Sequence, residues 1–176
     1  DPDTDDDGLS DYEEVIVYLT DPNKLDTDGD GLIDIVAGLR LGTKEGEGME
    51  IHWWKNPGNS EGSWKSYPLG KTTFDADRIV VADMNGDGKS DVVLSEERYP
   101  GPDPDASLFW YEQPADPTQG DWNRHTVVKQ YSLNNLDVAD MDGDGDLDLW
   151  LSNRTGPAIR YLQNEIDGRG HFVSFL

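Results

Sequence analysis

The residues best suited to chemistry in this chain are aspartates, and they recur in a fixed order. Asp26-Thr-Asp-Gly-Asp-Gly-Leu-Ile-Asp34, Asp83-Met-Asn-Gly-Asp-Gly-Lys-Ser-Asp91 and Asp140-Met-Asp-Gly-Asp-Gly-Asp-Leu-Asp148 start 57 residues apart, and a related run, Asp3-Thr-Asp-Asp-Asp-Gly-Leu-Ser-Asp11, opens the chain. An alternating Asp-x-Asp/Asn-x-Asp-Gly pattern places three oxygen-bearing side chains on one side of a tight turn, which glycine permits. Calcium wants such a set, six to eight hard oxygen ligands. A single Asp-Gly pair only marks a turn, but four runs in one register point to metal.

The first run has the full twelve-residue EF-hand spacing. Asp3, Asp5, Asp7 and Asp11 are its side-chain ligands, Leu9 offers its carbonyl, and Glu14 chelates through both oxygens. The later runs share the first nine positions but carry Ala37, Leu94 and Leu151 where the terminal Glu would stand. Their expected ligands are Asp26, Asp28, Asp30 and Asp34; Asp83, Asn85, Asp87 and Asp91; and Asp140, Asp142, Asp144 and Asp148. Carbonyls of Leu32, Lys89 and Asp146, with water, complete the spheres, giving about four calcium ions, one per loop. Magnesium prefers to keep several waters. Zinc lacks its ligands, since there is no cysteine, and His52, His125 and His171 stand at strand positions without a spacing partner, reading as packing or surface residues.

The elements that must hold these loops are short strands. Each loop of the 57-residue repeat leads into an apolar run (Ile35-Val-Ala, Val92-Val-Leu, Leu149-Trp-Leu), then an aromatic segment (Ile51 to Pro57, Leu108 to Pro114, Ile159 to Asn164), then a closing segment (Trp64 to Leu69, Trp122 to Val128, His171 to Phe175). Enrichment in β-branched and aromatic residues, with Gly, Pro and Asn between the runs, makes these strands. Ile79 to Ala82 and Leu136 to Ala139 deliver the chain into the second and third loops, so those units have four strands, the pattern of a propeller blade. The first loop is preceded instead by Tyr12 to Leu19, a short helix ended by Thr20-Asp-Pro-Asn23.

The expected fold is therefore mainly β: about three propeller-like units of antiparallel four-stranded sheets, the first lacking its opening strand. Residues 1–25 form a calcium-binding cap with the short helix, and 26–176 a β-repeat domain with units of about 26–77, 78–134 and 135–176. Closed propellers use about four to eight blades, so this array is open or partial.

Composition narrows the partners. A net charge of -23 makes nucleic acid and anionic membrane surfaces poor partners and cations the natural ones. Six Trp and seven Tyr argue for a folded chain despite that charge. No run reaches the roughly 18 apolar residues of a transmembrane helix, and a start at Asp1 suggests a processed or excised region. Asn153-Arg-Thr155 is a glycosylation sequon.

Residues 1 to 34, with acidic loops 23 apart and the connector Leu19 to Asn23, resemble thrombospondin type 3-like repeats. Residues 26 to 176, through Val81-Ala-Asp-Met-Asn-Gly-Asp-Gly-Lys-Ser-Asp-Val-Val93 and Val138-Ala-Asp-Met-Asp-Gly-Asp-Gly-Asp-Leu-Asp-Leu149, are similar to FG-GAP (VCBS) propeller repeats. These resemblances imply an extracellular or cell-surface setting, calcium in the loops between strands, and roles in adhesion, carbohydrate contact or scaffolding.

No nucleophile with a base and no phosphate cradle stands out, and Ser95-Glu96-Glu97-Arg98 reads as an exposed, salt-bridged strand end. The expectation is a non-enzymatic structural or interaction protein, serving surface adhesion or assembly into a larger scaffold or filament, with copies of itself or further blades of a longer chain as partners. The alternative is a carbohydrate-binding or accessory module of a secreted polysaccharide-degrading enzyme. Trp53, Trp54, Trp64, Trp110, Tyr111 and Trp122 would then stack on extracellular glycans, although one aromatic per strand is also what a β core needs.

Overall fold

The computed structural model describes residues 26–42, 47–97, 106–130, 133–152, 159–164 and 172–175. The cap of residues 1–25, with its calcium loop and short helix, the sequon at Asn153 and His171 lie outside them.

Within the described residues the chain is all β, in three antiparallel meanders. β1 (Ile35–Arg40), β2 (Met49–Lys55) and β3 (Lys65–Lys71) form the first sheet. β4 (Asp75–Ala82), β5 (Asp91–Glu97), β6 (Ala106–Glu112) and β7 (Asn123–Gln130) form the second. β8 (Asn134–Ala139), β9 (Asp148–Ser152), β10 (Ile159–Asn164) and β11 (Phe172–Phe175) form the third. These are propeller-like blades, the first showing three strands among the described residues, and they make no closed barrel there.

The blades stack because each presents apolar residues on both faces of its pleat. In β5, Val92 and Leu94 join Ile51, Trp53 and Leu69 of blade one, while Val93 joins Leu136, Leu149, Leu151 and Leu162 of blade three. A strand buried on both faces reads as a continuous apolar run rather than an alternating one, as Val92-Val-Leu does. β6 divides likewise: Phe109 and Tyr111 face blade one, Leu108 and Trp110 blade three.

Polar contacts also bridge the blades. β4 and β8 each carry a bulge, at Asp77 and Asn135, and the Asp77 carboxylate accepts the Asn135 backbone N–H at 2.9 Å and the Asn134 amide at 3.2 Å. Asn135 stands at φ 42°, a left-handed conformation that Asn tolerates better than most residues. Glu96 overturns the expectation of an exposed strand end. It is fully buried, accepting backbone N–H groups from Thr73 at 2.7 Å and Ser107 at 2.9 Å, so it ties the crossover from blade one to the centre of blade two. Sequence alone could not reveal this, because the donors lie 23 and 11 residues away.

Blade one also packs tightly on blade two at Gly70. A Cβ there would lie 2.3 Å from the Tyr111 ring, whose hydroxyl donates to the Lys71 carbonyl at 2.7 Å. Gly70→Ala is expected to push the ring aside and destabilise the protein by about 1–3 kcal/mol in denaturant unfolding, whereas Gly120→Ala, whose nearest atom would be 3.4 Å away, is expected to cost less.

Candidate metal centre

Each acidic loop occupies the same corner of its blade, running into the strand that follows it (β1, β5, β9). The loops fold through one hydrogen-bond scheme, written by their own carboxylates. The first Asp closes the turn: Asp26 accepts N–H groups of Gly29 at 2.6 Å and Gly31 at 2.5 Å, Asp83 those of Asp87 and Gly88, and Asp140 those of Gly143 and Gly145. The fifth-position Asp makes an Asx turn onto the seventh residue, Asp30 to Leu32, Asp87 to Lys89 and Asp144 to Asp146, at 3.0–3.1 Å. Glycines at φ near +80°, among them Gly31, Gly88 and Gly143, let the chain reverse so tightly.

The ninth-position Asp is different, because it is buried. In Asp34, Asp91 and Asp148 one carboxylate oxygen accepts the N–H of the loop's second residue, Thr27, Met84 or Met141, at 2.9–3.0 Å. The other accepts the N–H just past the lysine, glutamate or glutamine of the aromatic segment, at Asn56, Gln113 or Asn164, at 2.8–2.9 Å. Each of these aspartates thus clamps its loop to the far end of the neighbouring strand.

Burial raises two of these carboxyls despite the donors that favour the charge. Asp34 is pushed up to about 6 and Asp91 to about 7, with the nearby loop carboxylates adding to the rise. Exposed Asp142 is raised as well, first by desolvation and then by Asp144, Asp148 and Asp140.

Carboxylate oxygens of Asp26, Asp28 and Asp34 lie within 4.8 Å of one another, and so do those of Asp140, Asp142 and Asp148. Oxygens bound to one calcium ion at about 2.3–2.6 Å can be no farther apart than roughly twice that, so both groups fit a hard cation. Asp28 Oδ1 is also buried without a hydrogen-bond partner, as a ligand atom would be. These two clusters could hold a metal ion.

The second loop differs: Asn85 replaces the third-position acid, and Asp87 is paired with Lys89 at 2.5 Å. Asp30 is drawn, with Asp28, onto the Lys55 ammonium. Partial burial would lower the lysine, but its bonds and charges with Asp28 and Asp30 hold it well above its ordinary value. Leu32, Lys89 and Asp146, at the seventh position of each turn, are held by the Asx bonds through their N–H groups.

Sequence reasoning missed the residues around the loops. Lys55 and Gln163, equivalent in the repeat, both reach loop carboxylates, Gln163 contacting Asp142. Tyr161 donates to Asp148 at 2.9 Å and is pushed up to about 12 by its desolvation and that carboxylate. The amides at the strand ends reach across blades: Gln113 donates to the Thr27 carbonyl at 2.5 Å and Asn164 to the Met84 carbonyl at 3.3 Å. Aligning the units would have found them, since Asn56, Gln113 and Asn164 share one repeat position. The histidines are packing residues where described, His125 stacked on Trp110 with ring centres 4.2 Å apart and His52 bonded to Ser66. Of the aromatics considered as sugar platforms, Trp53, Trp110, Tyr111 and Trp122 belong to the core, leaving Trp64 exposed and Trp54 half-buried.

These geometries separate architecture from ligation. Asp91→Ala strands two buried N–H groups and is expected to cost about 2–4 kcal/mol even in metal-free protein, whereas Asp87→Ala, at an exposed position, should show its main loss only when metal is supplied. Thermal melts of both variants with and without divalent cation check this.

Because Asp34 and Asp91 bind their protons more tightly folded than unfolded, metal-free stability is expected to fall as pH rises from about 4 to about 7. A bound cation favours the ionised form and should flatten or invert that slope, read from melting temperatures at each pH.

The comparisons agree with this architecture over its first part. No curated protein matches the chain, but residues 26–94, from the first Asp of the described loops into β5, match the family model of the FG-GAP-like repeat.

Proposed function

We propose that this chain is a non-enzymatic, extracellular or cell-surface structural and interaction module whose blades are stapled by calcium. The observation carrying this reading is the threefold recurrence of one acidic loop, folded by one hydrogen-bond scheme at one corner of successive blades. Its donors are hard oxygens, which suit calcium better than zinc, and the cage is more protein-built than magnesium prefers. The FG-GAP-like match over 26–94 supports a β-repeat domain of extracellular type. Among the described residues no helix is long and apolar enough to cross a membrane.

In this reading Asp26, Asp28 and Asp34 and Asp140, Asp142 and Asp148 are the inner ligands of two sites, with Asp30 and Asp144 nearby. Asp83, Asn85, Asp87 and Asp91 hold a third ion, and the thrombospondin type 3-like segment contributes a fourth through Asp3, Asp5, Asp7, Asp11 and Glu14. Four divalent ions carry eight positive charges and would take the net charge from -23 to -15, relieving repulsion between carboxylates the fold forces together. The VCBS-like character of the whole repeat region belongs to the same reading. Built of repeated blades, such a module serves adhesion or assembly.

Calcium removal tests the proposal. A site that binds only the folded protein adds about 2.7 kcal/mol at a hundredfold excess over Kd, or about 5–10 °C in melting temperature for a chain of this size. Protein shown by elemental analysis to carry calcium should therefore lose at least that much on chelation. An unchanged melting temperature would refute calcium stapling.

A further inference from the structure

The two internal blade contacts are copies of each other, and each end of the array exposes one half of that contact. On the forward side, Ile51 and Leu108 are fully buried against the following blade, but their equivalent in blade three, Ile159, is 67% exposed. Thr27 and Met84, at the second loop position, are buried, while the equivalent Met141 is 57% exposed. Val93 is fully buried, yet Trp150 in its place is 40% exposed. The register of β9 and β10 pairs Trp150 with Tyr161 and Ser152 with Ile159, which puts Trp150 and Ile159 on one face.

The backward side of blade one shows the complementary pattern. Val92 and Leu149 are fully buried against the preceding blade, but Ile35 is 50% exposed. Trp122 packs into blade one, with its backbone N–H on the Leu69 carbonyl at 3.0 Å, while Trp64, which opens the equivalent segment, is 43% exposed. Two halves of a contact made twice inside the array are thus exposed on the outer faces of its first and third described blades.

We propose that these two faces dock onto each other between copies of this chain, the forward face of blade three (Met141, Trp150, Ile159) receiving the backward face of blade one (Ile35, Trp64) of a second copy. This rests on the reading of the chain as an assembly unit and names its contact. The occupant follows from continuity with the internal interfaces: what covers each such face inside the chain is the opposite face of the same repeat. The Asn164 bond to the Met84 carbonyl indicates how the joint would extend, because Asn56 is the residue at that strand-end position in blade one, and the Met141 carbonyl lies where its partner would be. The contact is heterologous, with different surfaces meeting. Two copies bring six blades together, inside the range of about four to eight at which blades close radially, so a closed pair is the expected species. The charge of -23 opposes the approach, so association should strengthen with salt and divalent cation.

Sedimentation of the full chain in calcium tests this, with a forward-face variant (Trp150→Glu with Ile159→Glu) and a backward-face variant (Ile35→Glu with Trp64→Ser). The wild type is expected to run at about twice 19.6 kDa, and each variant as a monomer, its self-association weakened at least about tenfold. Mixing the two variants should restore a pair, because each retains the face the other lost. A like-to-like contact would instead leave one variant associating normally. Unchanged melting temperatures establish that the variants fold, and the milder Ile159→Ser and Ile35→Ser pair replaces any that does not. A wild type that stays monomeric at high concentration overturns both this contact and homotypic assembly. Association that both variants retain overturns the contact alone, and calcium stapling is judged separately by the chelation melt.

Discussion

The fold depends on a carboxylate kept away from water and satisfied by backbone. Asp34, Asp91 and Asp148 each spend both oxygens on N–H groups from two segments, the start of the loop and the end of a strand 16 to 22 residues further on. An ionised carboxylate is costly to bury unless it is hydrogen-bonded, and once bonded it is costly to disturb. The loop is therefore held at its blade by a charged clamp, and the more exposed acids are left at the turn facing one another.

That arrangement creates a tension which the surrounding residues answer in different ways. Three carboxylates inside 4.8 Å repel each other in the first and third loops, and the raised values of Asp34 and Asp91 express desolvation first, with repulsion from neighbouring loop carboxylates added to it. In the first loop Lys55 answers with a tethered ammonium, in the second Asn85 replaces an acid and Lys89 pairs with Asp87, and in the third Gln163 and Tyr161 supply neutral donors. Loops nearly identical in sequence thus sit in three electrostatic settings.

The loops also join the blades. Gln113 and Asn164 carry hydrogen bonds from one blade to the loop of the one before, beside the core formed by Trp53, Leu69, Val92 and Phe109 on one side and Val93, Leu108, Trp110 and Leu149 on the other. Disturbing a loop therefore disturbs a blade interface, which links charge in the turns to the packing of sheets.

Much of this was legible in the residues themselves. A 57-residue period, strands of β-branched and aromatic residues, and Gly-punctuated acidic turns are local patterns, and local geometry decides strands and Asx turns, so the three meanders could be read directly. The burial of Glu96, the reach of Lys55 and Gln163, the pairing of the bulges at Asp77 and Asn135, and the division of β5 and β6 between two cores could not. Each depends on which donor or apolar face is brought alongside, by strand pairing within a blade for Lys55 and Gln163 and by stacking between blades for the bulges and the two cores, and sequence separation says nothing of that until the sheets have formed. The kind of loop follows from local sequence; strand pairing within each tertiary sheet made the ninth aspartate a clamp and brought a different neighbour to each set of exposed acids, because both depend on segments about 20 residues away along the chain.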